Sequence, residues 1–114
     1  MKTIYFILLL FFFSCSSNTN SGYQDPREKQ KLVIYDEVIR FVSLKLKSPS
    51  TAIFPEKKDR IFHVIHLNGN KYSVVSWVDS QNSYGAMLRS NFMIVAVINV
   101  NNVVKCSELV FLDN

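Results

Sequence analysis

The first apolar block of the chain, residues 4–13, runs for ten residues without a polar interruption. As a helix rising about 1.5 Å per residue it would cover roughly 15 Å, half of a hydrocarbon core of about 30 Å, so it predicts a signal-peptide core and not a membrane span. A polar stretch follows, Ser16-Ser17-Asn18-Thr19-Asn20-Ser21-Gly22-Tyr23-Gln24-Asp25, with the composition of a flexible tether.

From Pro26 the pattern becomes helical. Leu32, Tyr35, Ile39, Val42 and Leu46 recur at helical spacing with Val38 widening the stripe, while Asp36, Glu37, Arg40 and Lys47 fall opposite. Asp25 is placed to cap this helix, Pro26 suits its first turn and Glu28 its positive end; Lys45 and Lys47 suit its negative end, and Ser48-Pro49 stops it.

Strand signals then follow in series at residues 61–67, 71–78, 87–98 and 103–112. Asn68-Gly69 carries type I′ turn chemistry between the first two, and residues 99–102 supply turn residues before the last. No helix-length segment separates any pair. The expected fold is therefore α+β: one N-terminal amphipathic helix packed on a four-stranded antiparallel meander sheet. In the third strand Leu88, Phe92, Ile94, Ala96 and Ile98 share one face, yet Met93, Val95 and Val97 on the other are also apolar. A strand apolar on both sides predicts a second cover, from a neighbouring molecule or from residues 51–60.

Composition refines this picture. The whole chain has 114 residues, enough for one domain once leader and tether are set aside. The apolar run ends at Phe12-Phe13-Ser14-Cys15, a small residue followed by cysteine, which is how bacterial lipoprotein signals end. Cleavage before Cys15 would leave its thiol carrying diacylglycerol, with palmitate-type acyl chains as the membrane anchor. Cleavage after Ser16 would instead release a soluble protein, and an uncut leader would leave a weak anchor. The expected organisation is a signal peptide over residues 1–14, a lipidated Cys15 and tether over 15–25, and a single domain over 26–114. That places the protein in the bacterial cell envelope, facing the periplasm or the cell surface.

The formal charge of +4 falls to about +3 without Lys2, mildly basic. An exported protein meets nucleic acid only as incoming phage or transforming DNA, so nucleic acid is not an expected partner; anionic lipid headgroups or plain solvation account for the charge. The membrane, through the lipid anchor, and an envelope protein are the expected partners, with a homodimer as a further arrangement.

Candidate chemistry is sparse. Cys15 and Cys106 are the two cysteines; lipidation of the first leaves the second a lone strand thiol, expected to be buried and quiet between Val104 and the Glu108, Val110, Leu112 end of an alternating strand. His63 and His66 differ by three on an expected strand and so point to opposite faces, away from a shared metal. Asp36-Glu37 diverge by about 100° on a helix, and Glu56 and Asp59 lie among Lys57, Lys58 and Arg60 as a solvated charged loop. No nucleophile elbow or glycine-rich phosphate loop occurs. No cofactor and no metal site are expected, and a noncatalytic module is favoured over a small envelope hydrolase or thiol enzyme.

Two strings stand out: Leu46-Lys47-Ser48-Pro49-Ser50-Thr51-Ala52-Ile53-Phe54-Pro55, and Val78-Asp79-Ser80-Gln81-Asn82-Ser83-Tyr84-Gly85-Ala86-Met87-Leu88-Arg89-Ser90-Asn91-Phe92. Together they resemble a recurrent small domain of bacterial lipoproteins, membrane-tethered proteins and phage-encoded proteins, whose pattern runs like LKSPSTAxFP followed by GYVDAQNSFGAxxRxxF. The resemblance spans residues 38–97; Ser76 and Trp77 stand where that pattern favours Gly and Tyr, and Ser80 where it has Ala. It implies no established activity. By residue type, Gln81, Asn82, Tyr84 and Arg89 form a candidate recognition patch, beside the alternative of a loop that satisfies its own backbone, and Met93, Val95 and Val97 are candidate partner contacts. Envelope accessory, inhibitor or immunity, and phage-exclusion roles all suit such a module.

Overall fold

A computed structural model describes residues 25–112 of the chain. The expected leader, the expected lipidation site at Cys15 and the expected tether as far as Gln24 lie outside the described residues.

Helix α1 spans Pro26–Ser43. It starts where its capping chemistry sits, with the Asp25 carboxylate accepting from the Arg27 amide at 2.9 Å and Pro26 in the first turn. Ile34, Tyr35, Val38 and Val42 are fully buried, and Val33, Ile39, Phe41 and Leu46 pack partly against them. The buried stripe is thus turned from the expected one towards Ile34, which lies at its edge. Leu32 instead lies towards Lys57, Lys58 and Ile61. The helix ends before Leu46: the amides of Lys45 and Leu46 turn back to Val42 and Ser43, tightening the last turn.

Four antiparallel strands follow as a meander in the order β1 (Val64–Asn68), β2 (Lys71–Gln81), β3 (Met87–Ile98), β4 (Val104–Leu112). The α+β architecture, one helix across one face of a four-stranded sheet, is the observed fold. Val74 and Val78 of β2 and Phe92, Ile94 and Ala96 of β3 are fully buried beneath α1; each of the valine, isoleucine and phenylalanine side chains contributes on the order of 1.5–3 kcal/mol. A buried polar contact crosses this layer, Tyr35 Oη to Ser76 Oγ at 2.6 Å.

The structure departs from the sequence pattern at four places. The first expected strand begins only at Val64, because Lys57–His63 forms a 3-10 helix that leaves Phe62 exposed. That turn lets Arg60 donate to the Pro55 carbonyl at 2.9 Å, approach Asp36 at 3.6 Å and lie 5.5 Å from the centre of the Tyr35 ring. The β1–β2 turn has positive φ at Gly69 alone, the type II′ pattern and not type I′, which needs it at both central residues.

The remaining two departures shape the outer face. Residues 51–60 do not cover it. Ile53 bridges Asp79 by paired backbone bonds of 2.8 and 2.9 Å, extending the edge of β2 past the end of β1, and Phe54 meets Tyr35 edge-on at 6.4 Å on the helix side. In β4 the pairing shifts between Val95↔Ser107 and Met93↔Val110, so Glu108 and Leu109 together oppose Ile94. This bulge, with Glu108 at φ 57°, breaks the expected alternation. Cys106 and Leu109 pack towards the core, while Val110 and Leu112 do not share the Cys106 face.

Candidate functional site

Strand register builds the site. On the sheet face away from α1, Val75, Met93 and Val110 are directly paired in a row across three strands, and Trp77, Asn91 and Leu112 form the next row. In the other direction Ser73, Val95 and Ser107 align, then Lys71, Val97 and Lys105. The apolar members of this face are unusually open for β-branched and large side chains: Val75 40%, Met93 38%, Val97 37% and Val110 47% exposed. Met93, Val95 and Val97, singled out in the sequence, therefore lie together on an uncovered surface. The bulge at Glu108 adds Val110 and Leu112, which no alternation rule could have placed there.

Arg89 belongs to this face and not to the loop before it. Asp79 and Arg89 are paired residues of β2 and β3, and the guanidinium makes a two-pronged contact with the carboxylate, Nε to Oδ1 at 2.7 Å and the second nitrogen to Oδ2 at 2.9 Å. The same guanidinium lies 3.8 Å from the centre of the Trp77 ring, capping it. Arg89 holds the Asp79 carboxyl below its ordinary range, chiefly by these hydrogen bonds. One end of the apolar face is thus closed by an aromatic ring under a fixed, charge-balanced lid.

The loop residues do not join Arg89 in one patch. Asn82 is consumed by the loop itself: its Oδ1 accepts from the amides of Tyr84 at 2.8 Å and Ala86 at 3.0 Å, and its backbone pairs with Ala86 and Gly85. Gly85 takes φ 84° to close the turn. Tyr84 stands 94% exposed at the tip. The Gln81 amide donates to Thr51 Oγ1 at 2.9 Å, and Thr51 in turn donates to the Ser48 carbonyl at 2.7 Å. Residues of the two strings singled out in the sequence are thereby joined in space. Between them lies a shallow groove of about 230 Å³ lined in part by Leu46, Lys47, Gln81 and Leu88.

The remaining candidate chemistry is dispersed. Cys106 is half-buried, and burial, helped by Glu37, pushes its thiol up to about 11. His63 Nδ1 lies 3.0 Å from the Val75 carbonyl and His66 Nε2 2.8 Å from the Gly69 carbonyl, so the two imidazoles are committed at separate places. Among the described residues no group of three or more His, Cys, Asp or Glu is placed to hold a metal ion, and no helix is long and apolar enough to cross a membrane. No protein-family model matches the chain, and neither the curated proteins nor the solved structures contain a match to it.

Proposed function

We propose that the chain is a membrane-tethered bacterial lipoprotein of the cell envelope whose domain is a noncatalytic binding module, engaging an envelope protein through the sheet face opposite α1. The observation that carries this reading is the apolar row Val75–Met93–Val110, continued along β3 by Val95 and Val97 between serine and lysine neighbours, on the sheet face that α1 does not cover. Isolated exposed apolar residues are ordinary, but a contiguous sheet of them marks an interaction surface. The Trp77–Arg89–Asp79 assembly at its end offers the aromatic and guanidinium groups that interfaces favour, already held in place.

Site-specific photo-crosslinking in cells tests it. A crosslinker at Met93 should capture a defined envelope protein, one at the exposed helix position Asp36 should not, and Val95→Lys should abolish capture while circular dichroism stays native. Size exclusion of the purified protein identifies the case in which the captured partner is a second copy. A monomer with no Met93 crosslink, or a Val95→Lys variant that unfolds, would refute the surface.

A further inference from the structure

One end of the molecule combines the point of chain entry with unneutralised charge. The polypeptide arrives at Asp25, and the first turns of α1 carry Arg27, Lys29 and Lys31. The β1–β2 turn and the β3–β4 loop lie at the same end: Gln30, Gly69, Asn70 and Val100 line one shallow depression, and Arg27 and Lys31 line another beside Tyr72. Tyr72 fastens this end to the helix by donating to Gln30 Oε1 at 3.1 Å. Lys71 and Lys105 flank Val97 in the nearest full row of the sheet.

Few acids answer these cations. Asp25 uses its carboxylate on the helix cap, and Glu28 lies beside Lys57 and Lys58. Among the described residues Arg27, Lys29, Lys31, Lys71 and Lys105 take part in none of the ion pairs, which involve other residues. At the tip, Val100 is 97% exposed and Val103 52%.

We propose that this end is a seat for an anionic lipid surface, with the five cations opposite headgroup phosphates and Val100 at the water–lipid boundary. The proposal rests on the lipid anchor at Cys15, and charge complementarity together with chain length selects the occupant. In the sequence nine residues, 16–24, separate Cys15 from Asp25; a polar linker of that length reaches roughly 17 Å, which would make this end the part of the domain nearest the proposed anchor. Attraction of a basic residue to an anionic surface is worth about fivefold in occupancy. So seated, the strands rise from the membrane and the open sheet face looks sideways, towards neighbouring membrane proteins.

The test is a lysine footprint of the full chain on vesicles of phosphatidylglycerol with phosphatidylcholine, or of phosphatidylcholine alone, with amine acylation rates read by mass spectrometry. Lys29, Lys31, Lys71 and Lys105 should react about fivefold more slowly on the anionic vesicles, while Lys45 and Lys47, at the far end of α1, should not change. The difference should vanish in molar salt, where the screening length falls to about 3 Å. The mass of the N-terminal peptide reports lipidation separately; an unlipidated chain should still show the same pattern with excess anionic vesicles. Equal rates on both vesicle types, slowing at Lys45 and Lys47 instead, or protection by an oligonucleotide but not by vesicles would each overturn the seat.

Discussion

Tyr35 ties three parts of the molecule together. From the middle of α1 it touches Phe54 edge-on, lies under Arg60 and shares a 2.6 Å hydrogen bond with Ser76 of β2. Removing the Ser76 hydroxyl strands a buried phenol, so Ser76→Ala should cost about 1–3 kcal/mol, whereas Tyr35→Phe with Ser76→Ala together should cost less than the sum of the single changes. Thermal melts of the three variants check this. Burial raises the Tyr35 phenol above its ordinary 10.0 and the Cys106 thiol from 9.0 to about 11. Both groups are neutral in the fold and ionise more easily in the unfolded chain. The stability these two groups contribute is therefore full below about pH 9 and declines as pH rises through 9 to 11, where Cys106→Ala should flatten part of the loss seen by chemical denaturation. At neutral pH the thiol should alkylate far more slowly than a free cysteine, since about a hundredfold less thiolate is present.

At the scale of elements, two hairpin connections share one design. Asn82 and Asn99 each accept, through Oδ1, the amides two and four residues ahead, and each closes the loop by a backbone bond to the residue four ahead. The residue three ahead takes positive φ in both, Gly85 at 84° and Asn102 at 62°. Gly85→Ala meets no atom within 4 Å, so its cost is backbone strain alone, about 1 kcal/mol. Asn102→Gly should be neutral within about 0.5 kcal/mol, because both residues tolerate this conformation. Urea unfolding of the two variants makes the comparison. The sequence carried the helix start at Asp25-Pro26 and the bounds of β3 openly, since capping residues and a long β-branched, apolar run between turn residues are local signals. The 3-10 turn at Lys57–His63 was hidden because its reason is tertiary, the grip of Arg60 on Pro55, Asp36 and Tyr35. Arg89 was legible as a candidate but not as a lid on Trp77, which depends on the register of β2 with β3.

For the molecule as a whole, the proposed anchor can be removed without touching the domain, while the proposed seat and binding face meet at the Lys71–Val97–Lys105 row. Cys15→Ala should release the protein from membranes while circular dichroism and melting stay native, because every core residue lies beyond the tether; cell fractionation with mass spectrometry decides it. Arg89→Ala should weaken partner capture and uncover Trp77, seen as red-shifted tryptophan emission, with little loss of stability because the ion pair is exposed.

The displacement in β4 bears on how chain length can vary in this protein. Glu108 is the surplus residue where two positions of β4 oppose Ile94, and its left-handed backbone is unfavourable for a side chain of its kind. Excising Glu108 would bring Leu109 directly opposite Ile94 and keep Val110 opposite Met93, so every later side chain would keep its present side of the sheet. The odd residue count of β4 is thus already absorbed within that strand. Loss of a single residue elsewhere, such as Val75 in β2, would reverse the sides of all that follow and put polar groups beneath α1. A systematic single-residue deletion scan of β2, β3 and β4, scored by soluble yield, should therefore show a tolerant position at Glu108 and disruptive ones through β2 and β3, whose mutual register is unbroken.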